Sequence, residues 1–365
     1  MIICKKNITF FIGSMSSGGA EHQIAVLSDL LVERGYDITI TTFGDEIDHY
    51  QVNESVKRVH LASGRSKIMK LLSIFWYFLT VRTDLVISYT QRCNFLSLIP
   101  LCFRRIKVIV GERNFTRGVP DVYERLLVRL LYRRADKIVP NSHSQAEHLV
   151  KSNPKLAGKL VVITNYTDIE GFKFCQSPQN EKTRIGVFGR YSPQKNYPRF
   201  IEAVEQLKQR GYINFQIDCY GNHHFKGDQM NECYVQYQEL VDKLGVGDLI
   251  HLNDHVKNVA DVMRQFDVIC LPSLWEGWSN SISEAICCGK PMLVSDVSDN
   301  KYMVHDGENG FLFNPESIDA MVVTFEKFFA LGKEQREDMG EKSRALAEEL
   351  FNKERFVNQY IKLIE

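Results

Sequence analysis

The sequence lacks several features that would each define a class of protein. Its nine cysteines are odd in number and scattered, without a C-x-x-C pair or metal-ligand spacing, so we expect a reduced chain with no disulfide framework and no zinc site. It has no low-complexity segment and no internal repeat. The longest strongly apolar run, Leu71 to Val81, has 11 residues and is too short to span a bilayer as a helix.

The N-terminal segment and the glycine pattern exclude further classes. Lysines interrupt the apolar run in MIICKKNITFFIG and a strand pattern follows, so we expect no signal peptide and a cytoplasmic location. The first strand-to-helix loop is not G-x-G-x-x-G, and no acidic residue closes the following strand as a nicotinamide cofactor would require. The chain balances 45 basic against 45 acidic residues, and we expect no nucleic-acid partner.

What the sequence does contain is an alternation of strand and helix patterns. Short apolar strands alternate with helical periodicity in the first half, which predicts βαβ units and a parallel sheet. Residues 170–183 have turn formers and charges but no periodicity, and the alternation restarts after them. A chain of 365 residues suits two domains. We therefore predict an α/β protein with two Rossmann-like domains, 1–169 and 170–349.

The zero net charge hides an asymmetry between the two halves. Residues 1–170 carry 23 Lys and Arg against 16 Asp and Glu, whereas residues 171–365 carry 22 against 29. A basic first half and an acidic second half predict domains with different partners, one of them anionic. Chance drift in solvated surface charge is the alternative explanation.

Two strand-to-helix loops carry residues suited to an anion, and in open α/β sheets such loops bind ligands. GSMSSGGAEH places Gly18 and Gly19 at the head of a helix, where backbone N–H groups can approach an anion; a purely structural turn is the alternative. GRYSPQKN places Arg190 and Lys195 just after a strand, and a guanidinium with an ammonium suits a diphosphate. The alternative is that Arg190 and Lys195 are two solvated surface cations without a ligand.

A third loop, WEGWSNSISEAICCG at 275–289, carries two carboxylates. The segment SISEAICCG predicts a short buried helix with a serine N-cap that ends at Gly289. Glu276 then lies in the loop, and Glu284 lies in the first turns of the helix, near its positive end. A polyhydroxylated ligand with a diphosphate would use both, because carboxylates accept from sugar hydroxyls. Two surface glutamates are the alternative.

Four motifs, in order, resemble family four of the retaining glycosyltransferases. The motifs are Gly18-Gly19-Ala20-Glu21, Gly189-Arg190…Lys195-Asn196, Glu276-x7-Glu284 and DGENGFLFNP at 306–315. The resemblance covers nearly the whole chain and implies a GT-B fold, in which two Rossmann-like domains face each other across a cleft. It also implies that a final helix, about 350–365, crosses back to the first domain. In this family the second domain binds a nucleotide-sugar and the first binds the acceptor.

The resemblance assigns roles to the motif residues. Arg190 and Lys195 would hold the donor diphosphate, Glu276 the sugar hydroxyls and Glu284 the ribose, while the Gly19 loop closes over the phosphates. The catalytic set is thus Glu276, Arg190 and Lys195, without cofactor or metal, and the sequence has no suitable DxD-like pair. A UDP-sugar is expected over a GDP-sugar. The full donor-binding set is Gly18, Gly19, Gly189, Asn222, Val256, Ser279, Asn280, Ser281 and Glu284.

The acceptor residues are assigned from a strand end in the first half. Where some relatives carry a histidine, this chain reads Gly111-Glu112-Arg113-Asn114. Glu112 would position the acceptor hydroxyl, Arg113 an acceptor phosphate, and Asn114 belongs to the same set; a structural ion pair between Glu112 and Arg113 is equally compatible. Trp278 and Asn280 depart from the smaller residues or proline common in the family, which predicts a reshaped sugar pocket.

The expected reaction is retaining, metal-independent transfer of a hexose-like sugar. The acceptor is expected to be a saccharide, carried on a polyprenyl diphosphate lipid, in cell-surface polysaccharide synthesis. Two alternatives stay open: a sugar-nucleotide epimerase or hydrolase of the same fold, and a nucleotide-sugar-binding subunit without activity.

Three stretches of the basic half combine apolar and basic residues: 65–82, 101–110 and 123–137. Cations that flank an apolar face are typical of helices that lie on an anionic bilayer. We therefore expect peripheral binding at the inner face of the plasma membrane. The alternative is that these helices cover the first sheet, with their apolar side inward and their basic side in water.

Overall fold

The computed structural model describes residues 6–365 apart from 17, 45–48, 62–65, 114–121, 177, 179 and 225–228. The chain divides into two compact units, Met1–Tyr166 with Lys353–Glu365, and Thr167–Asn352. The C-terminal helix therefore belongs to the first unit, as the resemblance implied. Within the described residues, no helix combines the length and apolar character needed to cross a membrane.

The first unit is a six-stranded parallel sheet of order β3-β2-β1-β4-β5-β6. Its strands are β1 Asn7–Phe11, β2 Asp37–Thr42, β3 Lys57–His60, β4 Leu85–Tyr89, β5 Lys107–Glu112 and β6 Lys137–Pro140. Its helices are α1 Gly19–Glu33, α2 Lys67–Thr80, α3 Gln91–Leu101, α4 Val122–Arg129, α5 His143–Ser152 and α12 Lys353–Ile364. β4 is buried along its whole length, as expected for a strand with helices on both faces.

The second unit repeats this plan with the order β12-β11-β10-β7-β8-β9. Its strands are β7 Thr183–Phe188, β8 Phe215–Tyr220, β9 Ile250–Asn253, β10 Val268–Leu271, β11 Met292–Ser295 and β12 Gly310–Phe313. Its helices are α6 Tyr197–Gln209, α7 Glu232–Leu244, α8 Val259–Met263, α9 Asn280–Cys287, α10 Ile318–Phe329 and α11 Lys333–Leu350. The two Rossmann-like α/β sheets predicted from the sequence are confirmed.

In each sheet the strand order reverses at one place, between β1 and β4 and between β7 and β10. Ligands of open α/β sheets bind at the carboxyl ends of the strands beside such a switch point. The loops that follow β7 and β10 contain the motifs at 189–196 and 275–284, so the topology brings these two motifs to one edge of the second sheet.

Helix α12 joins the first unit through an apolar stripe. Phe356, Tyr360 and Ile364 are buried at helical spacing in the core around β1, β2 and β4. The ammonium groups of Lys6 and Lys107 donate to the Ile364 carbonyl at 3.0 and 3.1 Å. Cations at the carboxyl end of a helix are favourable, because its carbonyl groups there lack helical partners. These contacts fix the end of the chain beside β5.

A charged network stabilises β7, β8 and β9. Asp218 accepts from Arg184 Nη2 at 2.8 Å and contacts His251 Nδ1 at 3.2 Å. Burial alone would raise the pKa of Asp218, but hydrogen bonds from Arg184, His251 and Gln216 outweigh it and lower the pKa. The network therefore stabilises the fold above the ordinary Asp pKa of about 4, and this contribution is lost as the pH falls through the lowered pKa.

We expect Asp218→Asn to lower the free energy of unfolding by about 1–2 kcal/mol at pH 7, because Arg184 loses a charged partner. The difference from wild type should shrink in urea unfolding at pH 3. Asp248→Asn is the matched control, since its 2.7 Å pair with Lys208 is exposed and such pairs contribute little. Equal unfolding of wild type and Asp218→Asn at pH 7 would contradict this account.

Candidate functional site

The centre of the candidate site is an ion pair between the two motifs. The ammonium of Lys195 lies 2.7 Å from Glu276 Oε1, and the two side chains are only 14% and 9% exposed. Each charge offsets the cost of burying the other. The sequence assigned Lys195 to the diphosphate and Glu276 to the sugar, and the structure brings them into direct contact. An ammonium has three donors, so two remain for a ligand.

Asn196 holds the β7 loop against the ends of other strands. It adopts a left-handed conformation with φ 59°, which asparagine tolerates better than most residues. Its amide nitrogen donates to the carbonyls of Pro272 and Pro315 at 3.1 and 2.8 Å. These bonds connect the loops after β7, β10 and β12. Local sequence did not indicate a role for Asn196, because its partners are 76 and 119 residues away.

A second link fixes the position of Lys195 relative to Glu276. Gln194 Nε2 donates to the Trp275 carbonyl, and the Leu274 amide donates to the Gln194 carbonyl, both at 2.8 Å. A methyl group on Gly189 would lie 2.9 Å from Lys195 Cε, so a larger residue at this position would displace the lysine side chain. The two hydrogen bonds of Gln194 join the segment before Lys195 to the segment before Glu276, which keeps the two charged side chains close together.

The N-cap of helix α9 lies two residues before Ser281, the serine that opens the predicted segment SISEAICCG, whereas the end of the helix at Gly289 is confirmed. Ser279 is the N-cap, its hydroxyl accepting from the Ile282 amide at 3.5 Å, and Gly289 follows the helix at φ 70°. Ser281 Oγ donates to the Phe188 carbonyl at 2.8 Å, which attaches the helix start to the end of β7. The positive end of α9 therefore lies at the switch point, with Asn280 as its first residue.

Glu284 lies in the second turn of α9 and is mostly buried. Burial raises its pKa to about 7. No hydrogen bond reaches its carboxylate from any residue that the structure describes. A buried carboxyl group with a raised pKa and free acceptor atoms is suited to bind a ligand hydroxyl.

The other residues predicted to bind the donor make fewer contacts with the rest of the unit. Arg190 is exposed and makes no hydrogen bond or ion pair within the described part of the chain, so the structure does not join it to Lys195. Asn222 is exposed in the loop after β8, where its carbonyl accepts from Asn231 Nδ2 at 3.1 Å. Val256 is half-buried after β9. Trp278 is buried, and its indole N–H has no partner among the residues described.

The carboxylate of Glu21 lies at the start of α1, where the sequence predicted an anion-binding loop. Gly18 is the N-cap of α1 and has an extended backbone conformation. A methyl group on Gly18 would lie 2.2 Å from Glu21 Oε2. Gly19 is the first residue of the helix and is exposed. Burial raises the pKa of Glu21, partly opposed by a hydrogen bond from its own backbone amide. The predicted anion-binding start of α1 is thus next to Glu21.

Glu112 and Arg113, predicted to bind the acceptor, do not form the ion pair considered as an alternative. The buried carboxylate of Glu112 accepts from Asn94 Nδ2 at 3.2 Å and Gln145 Nε2 at 3.0 Å, whereas Arg113 binds other, neutral groups. The amides that bind Glu112 are 18 and 33 residues away, which the local sequence did not indicate. Asn114 lies outside the described residues.

A groove of the second unit lies away from this site, and no metal site accompanies either among the described residues. A groove lined by Thr183, Asn214 and Arg336 lies where the strands begin, the edge opposite to that at which parallel sheets bind ligands. In the part of the chain with described coordinates, no group of three His, Cys, Asp or Glu side chains is placed to hold a metal ion.

Comparisons with known proteins agree with this architecture. Residues 17–170 match the family model Glycosyltransferase Family 4, and residues 168–346 match Glycosyl transferases group 1. The chain is 23% identical over 337 residues to N-acetylgalactosamine-N,N'-diacetylbacillosaminyl-diphospho-undecaprenol 4-alpha-N-acetylgalactosaminyltransferase of Campylobacter jejuni, covering 87% of this chain and 88% of that protein.

A second relative and a solved structure extend the comparison. The chain is 28% identical over 174 residues to UDP-Gal:alpha-D-GlcNAc-diphosphoundecaprenol alpha-1,3-galactosyltransferase of Escherichia coli, which is 45% of this chain and 43% of that one. HepE of Anabaena, solved with UDP and glucose, superposes with a TM-score of 0.81 at 17% identity, over 98% of both chains. The chain belongs to glycosyltransferase family four and has the GT-B fold.

Proposed function

We propose that the protein transfers a sugar from a UDP-sugar to a saccharide on polyprenyl diphosphate, with retention of anomeric configuration. The observation that carries the proposal is the Lys195–Glu276 pair at the switch point, beside the positive end of α9. The names of the relatives from C. jejuni and E. coli support it, because both include a diphospho-undecaprenol acceptor. The enzyme would act in cell-surface polysaccharide synthesis.

The proposed chemistry follows from the charges at the site. As the anomeric C–O bond breaks, negative charge develops on the leaving diphosphate, and Lys195, Arg190 and the amides of α9 stabilise it. The acceptor hydroxyl attacks on the same face of the sugar, and its proton passes to the departing phosphate oxygen. Glu276 orients the sugar hydroxyls. Glu284, with free carboxylate oxygens and a pKa of about 7, accepts from the ribose hydroxyls.

The two glutamates should separate in their effects on UDP binding. We expect Glu284→Ala to weaken UDP binding about tenfold, because a charged acceptor of hydrogen bonds is lost. Glu276→Ala should leave UDP affinity unchanged or higher, since it releases the Lys195 ammonium, while turnover falls about 100-fold. Isothermal titration calorimetry with UDP measures the first effect. Equal losses of UDP affinity in both variants would mean that the pair is misassigned.

The pH dependence gives an internal control. Ligand hydroxyls donate to the ionised form of Glu284, so UDP affinity should rise as the pH increases through about 7. In Glu284→Ala this component should be absent, and the ionisation of UDP itself is common to both proteins. A wild-type pH profile in the variant would contradict the ribose assignment.

Peripheral attachment to the membrane is supported by the outer surface of α2. Its residues Ile68, Leu71, Leu72 and Trp76 are 50–71% exposed and recur at helical spacing, and we call them the α2 apolar face. The side of α2 that faces the first sheet is buried, at Ile74 and Phe78. Burial against the sheet, the alternative interpretation, accounts for Ile74 and Phe78 but not for the exposed apolar residues of α2, which supports the proposal.

The cations of this region divide into two groups. Arg104 Nη1 donates to the Val81 carbonyl at 2.7 Å, and Arg134 donates to the carbonyls of Leu101, Arg104 and Ile106 at 2.6–2.8 Å. Those guanidinium groups bind the ends of α2 and α3. Lys67, the first residue of α2, and Arg105, which follows α3, are exposed, and Phe103 is 75% exposed. Apolar side chains with flanking exposed cations match an anionic bilayer surface.

A further inference from the structure

Arg113 directly follows the last residue of β5 and has only neutral partners. Its Nη1 donates to Asn165 Oδ1 at 3.1 Å and its Nη2 to the Tyr360 hydroxyl at 2.6 Å. Its guanidinium carbon lies 4.6 Å from the centre of the Tyr89 ring. The buried Nε–H has no acceptor within the described part of the chain, and no carboxylate there forms an ion pair with Arg113.

A largely desolvated guanidinium without an anion is costly, and the chain does not use the carboxylate next to it. Glu112 is directed to the amides of Asn94 and Gln145. The two neighbouring charges are thus held apart by separate hydrogen-bond networks. The positive charge of Arg113 is kept available at the carboxyl edge of the first sheet, where ligands of such sheets bind.

The guanidinium is also held in one position by three separate parts of the chain. Tyr89 ends β4, Asn165 follows β6 and α5, and Tyr360 belongs to the C-terminal helix α12. The Tyr360 hydroxyl further lies 3.0 Å from the Tyr89 hydroxyl, so both tyrosines are fixed. A preorganised arginine with free N–H donors binds phosphate with less loss of side-chain freedom than a mobile one.

We propose that Arg113 binds a phosphate group of the acceptor's diphosphate, and that Tyr360 positions its guanidinium. The inference rests on the proposed function, which supplies an acceptor with a diphosphate. The helix that crosses back from the second unit is then part of the acceptor site, and it contributes the hydroxyl that orients Arg113.

Binding of farnesyl diphosphate and farnesol tests the proposal without knowledge of the acceptor's sugar. Wild type should bind the diphosphate at least tenfold more tightly than the alcohol, as measured by calorimetry, and Arg113→Met should lose this difference. Tyr360→Phe should reduce it about threefold while the affinity for farnesol stays unchanged, because only the orientation of the guanidinium is altered. Arg34→Met is the matched control, because Arg34 also bonds α12, through Glu354, but at the surface.

Binding of UDP distinguishes a failure of the proposed function from a failure of the inference about Arg113. If wild type fails to bind UDP, the proposed function fails whatever Arg113 does. If UDP binds equally to wild type and Arg113→Met but both proteins bind farnesyl diphosphate no better than farnesol, the inference about Arg113 fails alone. A loss of UDP affinity in Arg113→Met, with the farnesyl diphosphate preference intact, would assign Arg113 to the donor and also overturn it.

Discussion

Lys195→Ala is expected to lower kcat by about 100-fold, because it removes a buried positive charge from the leaving diphosphate. UDP affinity should fall as well, since the same contact forms with the product. Single-turnover kinetics with a UDP-sugar, and calorimetry with UDP, measure the two effects. Lys208→Ala is the matched control, since its ion pair with Asp248 is at the surface of the same unit.

The ion pair also predicts that the two motifs act as one unit. Lys195 and Glu276 are 2.7 Å apart, so the losses from Lys195→Ala and Glu276→Gln should not add in the double variant. The double variant should be about as slow as the worse single one. Strict additivity of the two losses in kcat/KM would show that the contact has no part in the reaction, and wild-type kcat in Lys195→Ala would remove the diphosphate assignment.

Replacing the α2 apolar face should abolish membrane attachment. Leu72→Ser with Trp76→Ser removes two large apolar side chains, each of which contributes about 1.5–3 kcal/mol when buried in an apolar phase. We expect at least a 30-fold lower partition into vesicles with anionic lipid, on the order of 2 kcal/mol. The melting temperature should change little, because both side chains are more than half exposed.

Flotation of the protein with such vesicles measures the effect. Ile213→Ser is the matched control, because Ile213 is 60% exposed in the second unit, away from the α2 apolar face. Lys67→Glu with Arg105→Glu should weaken binding mainly at low salt. Arg104 is unsuited to this test, since it bonds the carbonyls of Phe78 and Val81. Equal flotation of wild type and the serine variant would contradict the membrane assignment.

Local patterns in the sequence were enough to predict most of the elements around the candidate site of the second unit. Gly289 ends α9 as its capping preference indicates, although the N-cap is Ser279 rather than Ser281, and the loops after β7 and β10 lie at the switch point of the second sheet, as predicted. Two strands were missed, β12 at Gly310–Phe313 and β3 at Lys57–His60. The second of these, β3, is a short, charged edge strand without an apolar alternation. Nothing in its own residues distinguishes it from a loop.

Contacts between residues that are far apart in the sequence could not be predicted from local patterns. The Lys195–Glu276 pair spans 81 residues, and Arg113 and Tyr360 are 247 residues apart. Periodicity shows which residues of α2 share a face, but whether that face is covered depends on the rest of the fold. The same holds for Arg104 and Arg134, whose partners are backbone carbonyls that carry no sequence signal.

The central claim is transfer of a sugar by the Lys195–Glu276 site, and a product assay tests it most directly. Purified protein is incubated with UDP-galactose, UDP-N-acetylglucosamine or UDP-N-acetylgalactosamine and GlcNAc-diphosphoundecaprenol in anionic vesicles, and lipid products are identified by mass spectrometry. The account predicts that one of these donors lengthens the lipid-linked saccharide by one sugar, and that Lys195→Ala loses this product. Release of UDP at the same rate with and without the lipid, and with no lengthened lipid, would contradict it.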